Sequence, residues 1–131
     1  MKVMALDYGA ARTGVAISDA TGTLARPVAV VERAATQKGL RRLVELVAAE
    51  QAERIVVGLP LTLRGAIGFQ AEETERFVES LRSAVSVPVE RFDERFTTTL
   101  ASRDPASKAP EDARAAAHLL ETYLVWAAER A

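Results

Sequence analysis

The apolar residues of this chain change their spacing after Val31, and that change restricts the fold more than any other feature. Up to Val31 the apolar runs are short and broken by turn residues. Val3-Met4-Ala5-Leu6 ends at Asp7 and Gly9, Gly14 to Ser18 follows, Thr21-Gly22 turns the chain, and Leu24 to Val31 comes next. Runs of this length between turn residues read as strands, and strands this close together are joined as hairpins. Pro27 has no amide proton, which argues for an edge position for the third strand. Beyond Val31 the spacing becomes helical. Leu40, Leu43, Val44, Val47 and Ala48 fall at i, i+3, i+4, i+7 and i+8, Arg41, Arg42 and Glu45 lie on the other side, and Thr36 is placed to cap.

The remainder alternates. Ile55-Val56-Val57-Gly58 reads as a central parallel strand. A loop with Pro60 and Gly65 leads to a second helical stripe, Thr74, Phe77, Val78 and Leu81, with Glu72, Glu73, Glu75 and Glu79 toward solvent. Val87 to Phe92 reads as a fifth strand, and Arg103 to Pro110 as a polar loop. A last helix runs from about Glu111 to Glu129 with Ala113, Ala116, Ala117, Leu120 and Leu124 inward. The expected fold class is α/β: a mixed five-stranded sheet, three antiparallel strands then two parallel, with helices on both faces. The 131 residues are expected to form one domain.

Charge and composition narrow the chemistry. A formal net charge of -1 gives no global basic footprint, and the absence of cysteine removes disulfides and thiolate metal sites. The first strand begins at once, no signal-like segment precedes it, and no apolar run is long enough to span a bilayer, so the expected location is the cytoplasm, away from membranes. The single histidine, His118, lies off the apolar stripe of the last helix and is expected to be exposed.

Acidic residues stand out by position. Asp7 ends the first strand, Asp93 and Glu94 end the fifth, and Asp112 opens the last helix. Ligands of open α/β sheets gather beyond the carboxyl ends of the strands. Carboxylates from separate elements, without Cys or His, suit hard Mg²⁺ or Mn²⁺ ions, and two such ions stabilise the attacking and leaving oxygens of phosphodiester hydrolysis. Each acid also has a plain structural reading. Asp7 suits a turn, Asp93-Glu94-Arg95 suits a solvated loop, and Glu111 and Asp112 suit the first turn of a helix after Pro110.

Four motifs, in order over almost the whole chain, resemble those of the YqgF/RuvX family. They are Asp7-Tyr8-Gly9 with Arg12, Gly14 and Ser18-Asp19; Val56 to Leu61 with Gly65, Gly68 and Gln70; Asp93-Glu94-Arg95 with Thr97-Thr98; and Asp112 with Ala116, Leu120 and Tyr123-Leu124. The resemblance implies an RNase H-like fold and a nuclease that processes the 5′ end of pre-16S ribosomal RNA. Alternatives within it are a Holliday-junction resolvase-like enzyme or a single-stranded DNA or RNA nuclease in repair. A non-catalytic RNA-binding module for ribosome assembly is a further alternative, and an ATP-binding fragment of the actin-like type is disfavoured by length. The resemblance implies Asp7, Glu94 and Asp112 as catalytic metal ligands for Mg²⁺ or Mn²⁺, with Asp7 bridging.

The chain departs from the family pattern at several places. Ala10, Ala11, Thr62 and Arg64 replace residues that are usually polar, basic or acidic, and the Lys/Arg-rich stretch before Asp112 is reduced to Arg103 and Lys108. Arg12, Arg26, Arg64 and Arg95 remain as candidate phosphate contacts on a nucleic-acid partner. A monomer and a homodimer are both compatible with the sequence. Leu119, Tyr123 and Trp126 could form an interface stripe, or could pack on the chain's own sheet.

Overall fold

A computed structural model describes residues 1–59, 69–93 and 110–130, excepting the side chain of Phe69. The strands are β1 (Val3–Asp7), β2 (Arg12–Ser18), β3 (Ala25–Glu32), β4 (Arg54–Leu59) and β5 (Val89–Asp93). The helices are α1 (Gln37–Glu50), α2 (Phe69–Ala84) and α3 (Glu111–Ala128). One five-stranded sheet runs in the order β3-β2-β1-β4-β5. The pairs β1–β2 and β2–β3 are antiparallel, and β1–β4 and β4–β5 are parallel. The mixed sheet expected from the change of period is therefore present.

Alternation along β1 sorts the core into two layers. Met4, Leu6 and Tyr8 pack with Leu43 of α1 and Phe77, Val78 and Leu81 of α2. Val3 and Ala5 pack with Ala116, Leu119, Leu120 and Tyr123 of α3. Both faces of the central strands are thus covered, which is why β4 reads as an unbroken apolar run. β3 is an edge strand, as Pro27 required. The ladder skips Val28 beside that proline, with Val15 paired to Ala29 and Ala16 to Pro27, so the missing donor falls at a bulge.

The helices partly follow the expected stripes. Thr36 caps α1, its Oγ1 accepting from the Gly39 amide at 3.1 Å. The buried residues of α1 are Gly39, Leu43 and Leu46, whereas Ala48 is exposed, so the buried stripe is rotated toward Leu46. The α2 stripe is buried as expected at Thr74, Phe77, Val78 and Leu81, while Glu73 and Glu75 are half-buried rather than fully solvated. β5 starts at Val89, two residues later than the apolar pattern suggested.

The expectation for His118 is corrected. It is buried, with only 8% of its surface exposed, and residues 116–120 of α3 are buried without interruption. The cause is the smallness of the sheet beneath. Ala5, Gly14 and Ala16 let the alanine-rich helix sink against β1, β2 and β3, so more than one stripe is covered. Leu119 and Tyr123 are buried on the chain's own sheet, and Trp126 meets Phe92 edge-on at 5.5 Å between ring centroids. Of the two readings of that stripe, the structure shows the intramolecular one.

The turn between β2 and β3 is held by Asp19. Its carboxylate accepts from the amides of Thr23 and Leu24 and from the Thr21 hydroxyl, at 2.9, 3.2 and 2.7 Å. The Thr21 hydroxyl, then the two amides, hold the Asp19 carboxyl down to about 2. A depressed folded-state value stabilises the fold above the unfolded value, about 4 for aspartate. The contribution is complete above that pH and is lost as pH falls from about 4 toward about 2. We expect the Asp19 side-chain carbonyl resonance to titrate near the lower value in an NMR pH series. A midpoint near 4 would show that the turn does not hold the carboxylate.

Candidate metal and nucleic-acid site

The carboxyl ends of β1, β4 and β5, the start of β2 and the end of β3 lie along one edge of the sheet. Asp7 is the last residue of β1 and pairs with Gly14 of β2. Directly paired residues of antiparallel strands project from the same face, with Cβ positions about 5 Å apart. Val3 and Ala5 already place that face under α3, so period-two alternation turns Asp7 to α3 as well.

Gly14 explains how Asp112 arrives there. A Cβ on Gly14 would overlap the carbonyl oxygen of Asp112, and its nitrogen neighbour Ala113 N would be 3.0 Å away. Only a residue without a side chain lets the first turn of α3 rest on β2 at this point. The contact brings the backbone of Asp112 to the residue paired with Asp7. Two acids 105 positions apart in sequence thus meet the same patch of sheet.

Asp112 lies in the first turn of α3, after Pro110, which supplies no side-chain cap. Acids favour that turn, and the helix dipole stabilises them there. The carboxylate does more than complement the dipole, since its Oδ2 is 3.2 Å from Nε of Arg12 at the start of β2. Both side chains are substantially exposed, at 66% for Arg12 and 41% for Asp112, so the pair is open to solvent and to an incoming ligand. Asp7 is half-buried and also engaged by neighbours.

Tyr8 anchors the end of β1 on the opposite face. Its ring stacks on Phe77 at 4.3 Å and 16°, and its hydroxyl donates to Glu73 of α2 at 3.3 Å. Burial, then the Glu73 carboxylate, pushes the Tyr8 hydroxyl up. This support was not read from the sequence, where Tyr8 was only a motif residue and Glu73 a solvated acid. Its signal was there all the same, an aromatic residue opposite in phase to the strand-end aspartate.

The sequence-predicted residues are placed unevenly. Arg12 and Asp112 meet, and the backbone of Asp112 rests on Gly14, the residue paired with Asp7. Arg26 does not join them: it pairs with Ile17 near the far end of β2, and its guanidinium binds Glu50 at the end of α1 at 2.6 Å. Arg26 therefore lies in an ion pair at the opposite edge from Asp7. Glu94, Arg64 and Arg95, and the polar loop up to residue 109, lie outside the described residues. Among the described residues no group of three or more His, Cys, Asp or Glu is arranged to hold a metal ion.

A sequence profile of the RuvX family, described as Holliday junction resolvase, matches residues 1–125. The chain belongs to the RuvX family. A relative from Chloroflexus aurantiacus is 43% identical over 130 residues, covering 93% of this chain and 85% of the relative. One from Syntrophomonas wolfei is 38% identical over 132 residues, covering 95% and 94%. Both are named, provisionally, as pre-16S rRNA nucleases. Among solved structures, Thermus thermophilus RuvC in complex with a Holliday junction substrate superposes with a TM-score of 0.72 at 16% identity, covering 99% of this chain and 96% of RuvC. This RuvX chain therefore has the RuvC-type, RNase H-like fold. No helix of its described residues is long and apolar enough to cross a membrane.

Proposed function

We propose that this RuvX chain is a metal-dependent nuclease that hydrolyses phosphodiester bonds, acting at the 5′ end of pre-16S ribosomal RNA in the cytoplasm as a single catalytic domain. The observation that carries this reading is the packing of the Asp112 backbone on Gly14, the residue paired with Asp7 at the strand-end edge. The substrate is supported by the names of the relatives, and the reaction class by family membership.

The donor set fits Mg²⁺ or Mn²⁺. Asp7 and Asp112 offer hard oxygen ligands at the rim of the sheet, the chain has no cysteine, and its one histidine is buried in α3. Glu94, which follows the last residue of β5, is proposed as the third ligand. When bound, such ions supply charge stabilisation for the attacking and leaving oxygens. The protein's own residues do the rest. β1 and α3 fix the two aspartates, Tyr8 and Phe77 lock the end of β1, and Arg12 neutralises Asp112 and stands at the rim where a phosphate would approach.

The test is a cleavage panel with Mg²⁺, Mn²⁺ or a chelator. Its substrates are an RNA spanning the 5′ end of 16S rRNA, a four-way DNA junction, and single-stranded DNA. Metal-dependent cleavage of the RNA in preference to both DNAs is expected. Preference for the junction would instead favour the resolvase reading suggested by the family description. RNA binding without turnover under every condition would overturn the nuclease reading.

A further inference from the structure

We infer that a basic groove at the start of α1 is a second contact surface for the phosphate backbone of a single-stranded nucleic acid, extending the substrate path sideways from Asp7. The inference deepens the nuclease reading and rests on it for the identity of the ligand. The groove encloses about 700 Å³ between the end of β3 and the first turns of α1. Arg33, Lys38, Arg41 and Arg42 line it, against the two carboxylates Glu32 and Glu45.

Three observations set this groove apart. The first is charge that is left open. Arg12, Arg26, Arg54, Arg82 and Arg91 are each ion-paired to a carboxylate. None of the four groove cations makes an ion pair among the described residues, and all four are exposed. In a chain of net charge -1, cations gathered without partners are a local electrostatic feature that a polyanion would complete.

The second is a residue held where its type is disfavoured. Arg33 has φ of 47°, in the left-handed region that costs a non-glycine residue about 1 kcal/mol. The surroundings enforce it: the Arg33 amide donates to the Ala11 carbonyl at 3.0 Å, and the Thr36 hydroxyl donates to the Arg33 carbonyl at 2.7 Å. Gly39 lets α1 press on this corner, since a Cβ there would overlap the Arg33 carbonyl oxygen and lie 2.6 Å from the Ala34 Cα. The groove wall is therefore rigid, and an arginine occupies a position where glycine or asparagine would be easier.

The third is location. Arg12 of the carboxylate site pairs with Glu32 of the groove across β2 and β3. Asp7 lies on β1, two strand spacings or about 10 Å away in the plane of the sheet. Asp7 faces α3 and the groove opens beside α1 on the other face, so one strand of nucleic acid would turn over this rim from Asp7 and Arg12 to Arg33. The groove also supplies cations that the short, weakly basic segment before Asp112 lacks.

The test measures binding in a chelator, so that it does not depend on cleavage. Fluorescein-labelled single-stranded RNAs of about 6 and about 20 nucleotides, near and beyond the span of one such surface, are titrated by anisotropy across a range of salt. The variants are Arg41→Gln/Arg42→Gln, Arg33→Gly, and a charge-matched control, Lys2→Gln/Arg130→Gln, at the opposite edge of the sheet. The groove double variant should bind the longer RNA about tenfold more weakly, with a salt slope reduced by about one. Arg33→Gly should also weaken binding while its melting temperature stays the same or rises. The control should remain near wild type. Equal losses in control and groove variants, unchanged affinity and slope in the groove variants, or no RNA binding by wild type at low salt would each overturn the inference. Groove-dependent binding without cleavage when Mg²⁺ is restored leaves the groove standing and removes the nuclease reading. Cleavage with groove-independent binding does the reverse.

Discussion

Gly14→Ala should lower the melting temperature by about 10 °C. The expected destabilisation is about 3 kcal/mol, the upper end of ordinary overpacking, and a chain of this size loses about 3–5 °C per kcal/mol. The reason is specific. The added methyl would occupy the place of the Asp112 carbonyl oxygen, a backbone atom that cannot rotate away. Either the first turn of α3 lifts from β2 or the start of β2 moves, and Asp112 is displaced from Asp7 in both cases. Metal affinity should therefore fall together with stability, although position 14 itself supplies no ligand. Thermal unfolding followed by circular dichroism, with and without Mg²⁺, reads both effects. An unchanged melting temperature would show that α3 does not rest on Gly14.

Asp7→Asn should separate activity from folding. Asparagine keeps the volume of a half-buried side chain but gives up the charge. Loss of a residue that merely orients a metal ligand costs about 10–100-fold, so loss of a ligand should reduce cleavage by at least about a hundredfold. The melting temperature without metal should stay within a few degrees of wild type. Wild type should gain about 2.7 kcal/mol of stability when the metal is present at about a hundred times its dissociation constant, and the variant should gain little. A variant that is stabilised as strongly as wild type would remove Asp7 from the metal site.

The sheet was legible because its signals are local. The short apolar runs up to Val31, the unbroken run Ile55-Val56-Val57, and Pro27 at the edge each follow from which faces and edges of a strand are covered. The position of Asp7 at the ligand edge was legible for the same reason. His118 was not, because its burial depends on Ala5, Gly14 and Ala16, small residues far away in sequence that let α3 sink. The distance of Arg26 from the Asp7 edge was not legible, because basic character says nothing about which end of a strand a residue occupies, and its ion pair with Glu50 is set by the length of α1. The approach of the Asp112 backbone to the strand beside Asp7 needed the contact at Gly14, which the sequence marked only as the start of a strand and part of a motif. The rest of the proposed site, Glu94 with Arg64 and Arg95, falls outside the described residues and stays with the sequence and the family.

The most direct test of the central claim is one side-by-side cleavage assay. Wild type, Asp7→Asn, Glu94→Gln and Asp112→Asn would be given an RNA spanning the 5′ end of 16S rRNA, with Mg²⁺ or Mn²⁺, and single-turnover rates compared. The account predicts metal-dependent cleavage by wild type and a loss of at least about a hundredfold in each variant, all of them folded. Undiminished cleavage by Asp7→Asn would contradict it.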